Sequence, residues 1–327
     1  MRTVSRPFAR ALRGLAHVAI VALGVLAVVG SGGGFSLGFP DIDFDGPFAP
    51  AVSMDLSRRT VQVGESVTFQ AMVFGTPPLT YRWRRNGVDI PGAQGASYTL
   101  SGANLADDGA TFSLEVRNTA GTATDASLLW VSALPPVVAQ DGEFADARWQ
   151  AQAVGEPVAA PPVSSASQAE AGGSPGAFRR MAYTMPAGPS SIRVFHVRPD
   201  SGYDPAVLGA IRSIDFSLDC SSLTTAVASQ IEATGLLEQA GRRYRLREQT
   251  GPCLPYWTAQ RFVGLLAEDF TLVTGPACAA GERCPDFSAS AAPIAIGFLS
   301  SATLAPGTAA GSVLQGVDNW KVTIWRR

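Results

Sequence analysis

No cysteine precedes Cys220 in this 327-residue chain, and only four occur in all. Any disulfide is therefore confined to the C-terminal part. Histidine is scarcer still: His17 and His196 are the two present. His17 falls in an N-terminal apolar run, which leaves a Ser-His-Asp hydrolase only His196 to use. That residue stands within the alternating stretch "RVFHVRP" and is read as structural or solvent-facing rather than catalytic. Charged side chains make up 16% of the chain, the net charge is −2 and the pI about 5.8. Such a chain lacks the basic surface whose counterion release drives nucleic-acid binding, so no nucleic-acid partner is expected. The four cysteines are spaced by 33, 25 and 6 residues and include no C-x-x-C pair, which argues against a zinc site.

Long hydrophobic runs are limited to one. "LAHVAIVALGVLAVVG", residues 15–30, follows Arg2, Arg6, Arg10 and Arg13 and precedes "SGGG". A basic start, an apolar stretch and small residues make a signal peptide. The run is just short of the roughly 17–25 residues of a spanning helix, so cleavage after Gly30 is expected and membrane contact only through an uncleaved signal. "VVGS" is similar to a bacterial lipobox in which Ser31 replaces the lipidated cysteine.

Glycine (34) and proline (23) are plentiful, which favours many turns and short strands. The expected organisation is a signal peptide over 1–30, a linker over 31–50, a first domain over 51–133, a connector over 134–140 and a second domain over 141–327. Residues 157–177, rich in Ala, Ser, Gly and Pro, read as a long loop.

Hydrophobic residues of the first domain recur with a period of two. Val67, Phe69, Ala71 and Val73 share one face, as do Tyr81 with Trp83, and Phe112 with Leu114 and Val116. This is the pattern of half-buried strands, and Asn86-Gly87 is a two-residue hairpin signal. "VGESVTFQA", Trp83 twelve residues after Ala71, "NGVDIPGA" and "ADDGATFSLEVRNTAG" resemble an immunoglobulin-like domain of the intermediate set, as found in exported bacterial proteins. The resemblance implies a β-sandwich with core positions Ala71, Trp83, Phe112 and Leu114. It places the two bridging cysteines of the family at Ala71 and Leu114 and its corner tyrosine at Phe112. This sequence lacks all three, which leaves Trp83 to be held by apolar packing.

The second domain also reads as β. Ile214, Phe216, Leu218 and Cys220 alternate with polar residues, and "IRVFHV", "PIAIGFL" and "DNWKVTIW" are further strand candidates. The fold class is thus all-β, an immunoglobulin-like sandwich followed by a larger jelly-roll-like one. "GVDNWKVTIW" and "EAGGSPGAFRR" resemble segments of exported lectin-like and carbohydrate-binding jelly rolls. An even cysteine count in an exported chain implies two disulfides; of three connectivities, Cys220–Cys253 with Cys278–Cys284 is favoured.

Chemistry-bearing motifs are few. "GGSPG", residues 172–176, matches the G-x-S-x-G nucleophile elbow, yet Pro175 has no N–H to donate to an oxyanion. "DIDFDG", residues 41–46, opens like a calcium loop but has Val52 where the bidentate Glu belongs. Asp318 and Asn319 are the candidates for a structural Ca²⁺, the one cofactor entertained. Asp215 and Asp219 share a strand face without forming a compact carboxylate pair. Arg82, Arg84 and Arg85 flank Trp83 and read as a solvated strand face, the alternative being a docking patch for acidic glycans. Tyr256, Trp257 and Trp325 read as core or near-core aromatics, and as candidates to stack on sugar rings if exposed. The expected function is that of an exported binding or adhesion protein, periplasmic, cell-surface or extracellular, that recognises a glycan or surface protein through its second domain. The alternatives are a polymer-degrading enzyme using carboxylates and a purely structural surface protein.

Overall fold

The computed structural model describes residues 47–155, 163–224, 229–247, 251–279 and 284–327. The expected signal peptide and the "DIDFDG" stretch lie outside them, as does most of the linker. The chain divides into two compact units, one ending at Val131 and the other starting at Ser132. Among the described residues no helix is long and apolar enough to cross a membrane.

The first unit holds β1 (Ala51–Met54), β2 (Arg58–Gln62), β3 (Val67–Phe74), β4 (Thr80–Arg85), β5 (Val88–Asp89), β6 (Ser97–Leu100), β7 (Ala110–Asn118) and β8 (Gly121–Ser132). They form two antiparallel sheets, ordered β1-β3-β6 and β2-β8-β7-β4-β5. The period-two pattern explains why the sheets face each other. Val67, Phe69 and Ala71 turn inward from β3, and Phe112, Leu114 and Val116 from β7. Fully burying side chains of the larger kind contributes about 1.5–3 kcal/mol each. Phe69 and Phe112 stack with ring centroids 4.4 Å apart. Phe112, where the family's tyrosine would hydrogen-bond, serves here as core. Trp83 has no exposed surface and lies 6.4 Å from Phe69 and 6.0 Å from Tyr98. Apolar packing does not hold it alone, because its indole N–H donates to the Gly95 carbonyl at 2.9 Å. The Asn86-Gly87 hairpin has both residues at positive φ, 49° and 82°, and the Asn86 carboxamide accepts the Thr111 N–H.

The second unit contains β9 (Val137–Asp141), β10 (Gln150–Gly155), β11 (Val163–Gly173), β12 (Gly176–Met185), β13 (Ser190–Tyr203) and β14 (Ile211–Ser222). It continues with β15 (Ser229–Gln239), β16 (Arg242–Leu246), β17 (Thr258–Leu265), β18 (Phe270–Thr274), β19 (Ile294–Leu304) and β20 (Gly311–Arg326). One sheet is ordered β10-β13-β19-β15-β16-β18, the other β11-β12-β20-β14-β17, with β9 also paired to β20. Both sheets contribute to one core, including Tyr183, Phe216, Val317 and Trp320 from one and Val194, Ile231, Leu237 and Phe298 from the other. A Cβ on Gly235 would stand 2.8 Å from the Phe216 ring, so the sheets meet too closely there for any side chain.

Two expectations are corrected here. Residues 137–141 do not form a connector; they pair with residues 320–324 of β20. Residues 163–173, read as loop, form a strand along β12. Their Ser, Ala and Gln carry no apolar alternation, because backbone pairing with β12 rather than side-chain burial keeps this strand in place.

The core between the sheets carries a polar cluster. The Tyr183 hydroxyl lies 2.8 Å from Ser300 Oγ and 2.9 Å from Gln315 Oε1, and Ser300 Oγ lies 3.0 Å from His196 Nε2. His196 is fully buried and stacks on Phe298. Burial, with the charge of Arg179, pushes its pKa from 6.5 down to about 3. The unfolded chain therefore takes up a proton near pH 6.5 that the folded chain refuses, and stability falls as the pH drops below that value. The loss amounts to about 2 kcal/mol by pH 5. Denaturant titrations from pH 7 to 5 should show this acid limb in the wild type and a flatter one in His196→Gln. Equal slopes would mean that His196 is protonated in the folded state.

Candidate functional site

Most second-domain motifs converge on the outward face of the sheet that contains β12, β20, β14 and β17. The cause is a break in the phase of β20. Val313 and Val317 point into the core, and so do Trp320, Val322 and Ile324. An odd step separates the two sets, and Asn319 absorbs it in the left-handed region with φ 49°. The pairing with β14 shifts between Ser217 and Asp219 at the same place. Such a bulge re-aims side chains. Here Asp318 and Asn319 are brought beside Asp219.

Asp318 is fully buried. Its Oδ2 accepts the Ser174 N–H at 2.5 Å, and its Oδ1 accepts the Asn319 N–H at 2.6 Å. Burial pushes its carboxyl above the usual range; those two N–H groups oppose the shift, and the charge of Asp219 adds to it. The Asn319 amide donates to Asp219 Oδ2 at 2.8 Å and also to the Ser174 carbonyl. These groups do not fit the Ca²⁺ considered for Asp318 and Asn319, since Asp318 is sealed from water and Asn319 turns its NH₂, a donor, towards Asp219, whereas Ca²⁺ takes converging oxygens. Among the described residues no group of three or more His, Cys, Asp and Glu is placed to hold a metal ion.

"GGSPG" is thus a turn between two strands, with β12 rather than a helix after it, and is no nucleophile elbow. It also carries the contact that orients Trp257. The indole N–H donates to the Gly172 carbonyl at 3.1 Å, and the ring meets Phe178 edge-on at 5.4 Å. Trp257 lies across Gly316, where a Cβ would stand 2.6 Å from Cη2. Neighbouring Tyr256 is 63% exposed. The segment carrying both aromatics is tied to β14 by the Cys220–Cys253 disulfide, and Thr258 Oγ1 donates to the Cys220 carbonyl. The second bridge joins Cys278 and Cys284.

Trp325 is not available for stacking. It is 7% exposed, and its indole N–H donates to Asp215 Oδ2 at 2.7 Å. Asp215 also accepts the Gly264 N–H, so it braces β17 and Trp325 instead of facing Asp219 as a partner. The alternative of an arginine patch for acidic glycans also loses support. Arg84 bridges Asp89 and Glu115, Arg85 pairs with Asp107, and Arg82 reaches Asp89 at 3.6 Å, so local carboxylates balance these charges. A concavity of about 270 Å³ elsewhere in the second unit is lined by Ile211, Leu266, Phe287 and Arg327 among others, and Glu268 is the one acidic side chain in its lining. Gly172, Phe178 and Gly316 lie within the motifs "EAGGSPGAFRR" and "GVDNWKVTIW", but the sequence reading gave none of them a role at the site. The usable signal was Gly316, since a glycine within a strand marks close approach of another group.

Residues 50–131 match the family described as Immunoglobulin I-set domain. Kin of IRRE-like protein 2 of Mus musculus is 37% identical over 90 residues, 26% of this chain and 12% of that protein. The decoration protein of Escherichia phage T5 is 31% identical over 97 residues, 28% of this chain and 58% of that protein. The chain therefore spans only a small part of the first relative and little more than half of the second. The solved N-terminal four Ig domains of Dscam1 isoform 6.9 are 23% identical, with 25% of this chain and 20% of that chain covered and a TM-score of 0.24. Residues 50–131 are an immunoglobulin I-set domain.

Proposed function

We propose that this chain is an exported binding protein whose second domain, over 141–327, recognises a polysaccharide around Trp257, while the immunoglobulin-like domain over 51–133 spaces or presents it. The observation that carries the reading is the oriented Trp257 indole beside the 63% exposed Tyr256, immediately before a strand paired with the one that carries Asp219, whose carboxylate accepts from Asn319. Aromatic faces pack against the apolar faces of sugar rings, and carboxylate and carboxamide groups hydrogen-bond the hydroxyls. Strand order supports a jelly-roll reading of this domain: β12-β20-β14-β17 lies against β13-β19-β15-β16, so that most consecutive strands of the domain alternate between the two sheets. The two disulfides and the immunoglobulin-like fold fit an oxidising, extracytoplasmic setting.

A glycan array screened with the full chain tests this reading. Binding should occur without turnover of the bound polymer, and Trp257→Ala or Tyr256→Ala should weaken it about tenfold, equivalent to about 1.4 kcal/mol. Turnover would establish the enzyme instead, and binding indifferent to both substitutions would displace the site. A protein partner for the first unit is the second reading. Met72 and Phe74 favour it, since they share the outward side of β3 at 61% and 55% exposure.

A further inference from the structure

We infer that Asp318 is a positioning residue for the Trp257 ring, acting through the turn Gly172–Ser174. The inference rests on the reading of Trp257 as a ligand-contacting side chain. Asp318 never reaches the surface, so its part is played through the backbone of the turn. Its Oδ2 holds the Ser174 N–H, and the neighbouring Asn319 holds the Ser174 carbonyl, so that both sides of one residue are clasped. Gly173 lies against the clasp: a Cβ there would stand 2.6 Å from Asp318 Oδ2, 2.8 Å from the Gly176 carbonyl and 2.9 Å from that of Ala177. The turn is therefore confined from three directions. Its Gly172 carbonyl takes the indole N–H of Trp257. Phe178 at the ring's edge and Gly316 beneath it are apolar contacts and do not fix its rotation. The one directional bond that sets its rotation ends on the turn that Asp318 holds.

The chemistry requires a carboxylate. Asp318 accepts an N–H on each oxygen. A carboxamide of the same size has one acceptor oxygen and one NH₂, so Asp318→Asn sets a donor against a donor on one side. Asn319→Gly is the gentler variant. It removes the amide that holds Ser174 and Asp219, and glycine accepts the positive φ without strain.

The test compares near-UV circular dichroism and fluorescence of each variant, in Trp257 and Trp257→Phe backgrounds, so that the difference reports Trp257 alone. Asp318→Asn should abolish most of the Trp257 dichroism and shift its emission to the red, and Asn319→Gly should do so partly. Affinity for whichever glycan binds the wild type should fall about tenfold. A Trp257 signal unchanged in both variants overturns the inference. Where Asp318→Asn fails to fold, Asn319→Gly decides. Loss of the Trp257 signal in a protein whose wild type binds no glycan sustains the positioning role and removes the proposed ligand instead.

Discussion

Replacement of Cys220 and Cys253 by alanine should destabilise the second domain by about 4 kcal/mol, the value expected for removing a bridge that closes a loop of this length. The two cysteines are 33 residues apart, whereas Cys278 and Cys284 are 6 apart. By the same loop-entropy relation the shorter bridge is worth about 2.4 kcal/mol. The double replacements should therefore rank in that order in denaturant titrations, with about 10 °C lost from the melting temperature in the larger case. The ranking carries the test: if removal of Cys278–Cys284 proves the costlier, unfolded-state entropy does not govern these bridges. Local bonds around the longer bridge will soften the structural consequence. The Cys253 N–H donates to the Ile231 carbonyl and the Ser222 N–H to the Leu254 carbonyl, both within 2.8 Å. Residues 253–257 should thus stay near β14 in the folded state, and the Trp257 signal should survive although the domain melts earlier.

The second large effect is expected in the first domain and has the opposite sign. Ala71→Cys with Leu114→Cys should close a bridge between the sheets and raise stability once oxidised. The positions are 43 residues apart, 5% and 0% exposed, and belong to one core. Phe69 and Phe112, each two residues earlier, already touch across the sheets. The closed loop is worth about 4 kcal/mol. Shortening Leu114 gives back roughly 1.5 kcal/mol, the equivalent of two methylenes. A net gain of about 2.5 kcal/mol corresponds to some 10–20 °C in a domain of this size, read as the difference between oxidised and reduced protein. An oxidised variant that melts no higher than wild type would show that Ala71 and Leu114 do not face each other.

Much of this architecture was legible because it depends on neighbours two residues apart. The alternation of Val67, Phe69 and Ala71 and of Ile214, Phe216 and Leu218 can be read off the chain, since a strand sends successive side chains to opposite faces. The asparagine-glycine hairpin at Asn86 is legible for the same local reason. The strand Val163–Gly173 is not, for its small residues bury little and its place is supplied by β12. Nor was Val137–Asp141, whose partner on β20 is almost two hundred residues away.

The candidate site divides along the same line. Composition and motif alone drew attention to Tyr256, Trp257, Trp325, Asp219, Asp318 and Asn319, and to the GGSPG segment. They could not rank them. Trp257 and Trp325 are chemically identical, yet one lies partly open across Gly316 and the other is bonded to Asp215 and covered. Asp219 and Asp318 are likewise equivalent in sequence, yet only Asp318 is sealed from water. The sequence by itself determined an all-β chain with an immunoglobulin-like first domain, cysteines confined to the second, and a short inventory of polar and aromatic candidates. Only the tertiary structure decided which of these meet, because the bulge at Asn319, the turn at Ser174 and the aromatic segment after Cys253 come from distant parts of the chain. Burial and hydrogen-bond partnership are set by that meeting and not by residue type.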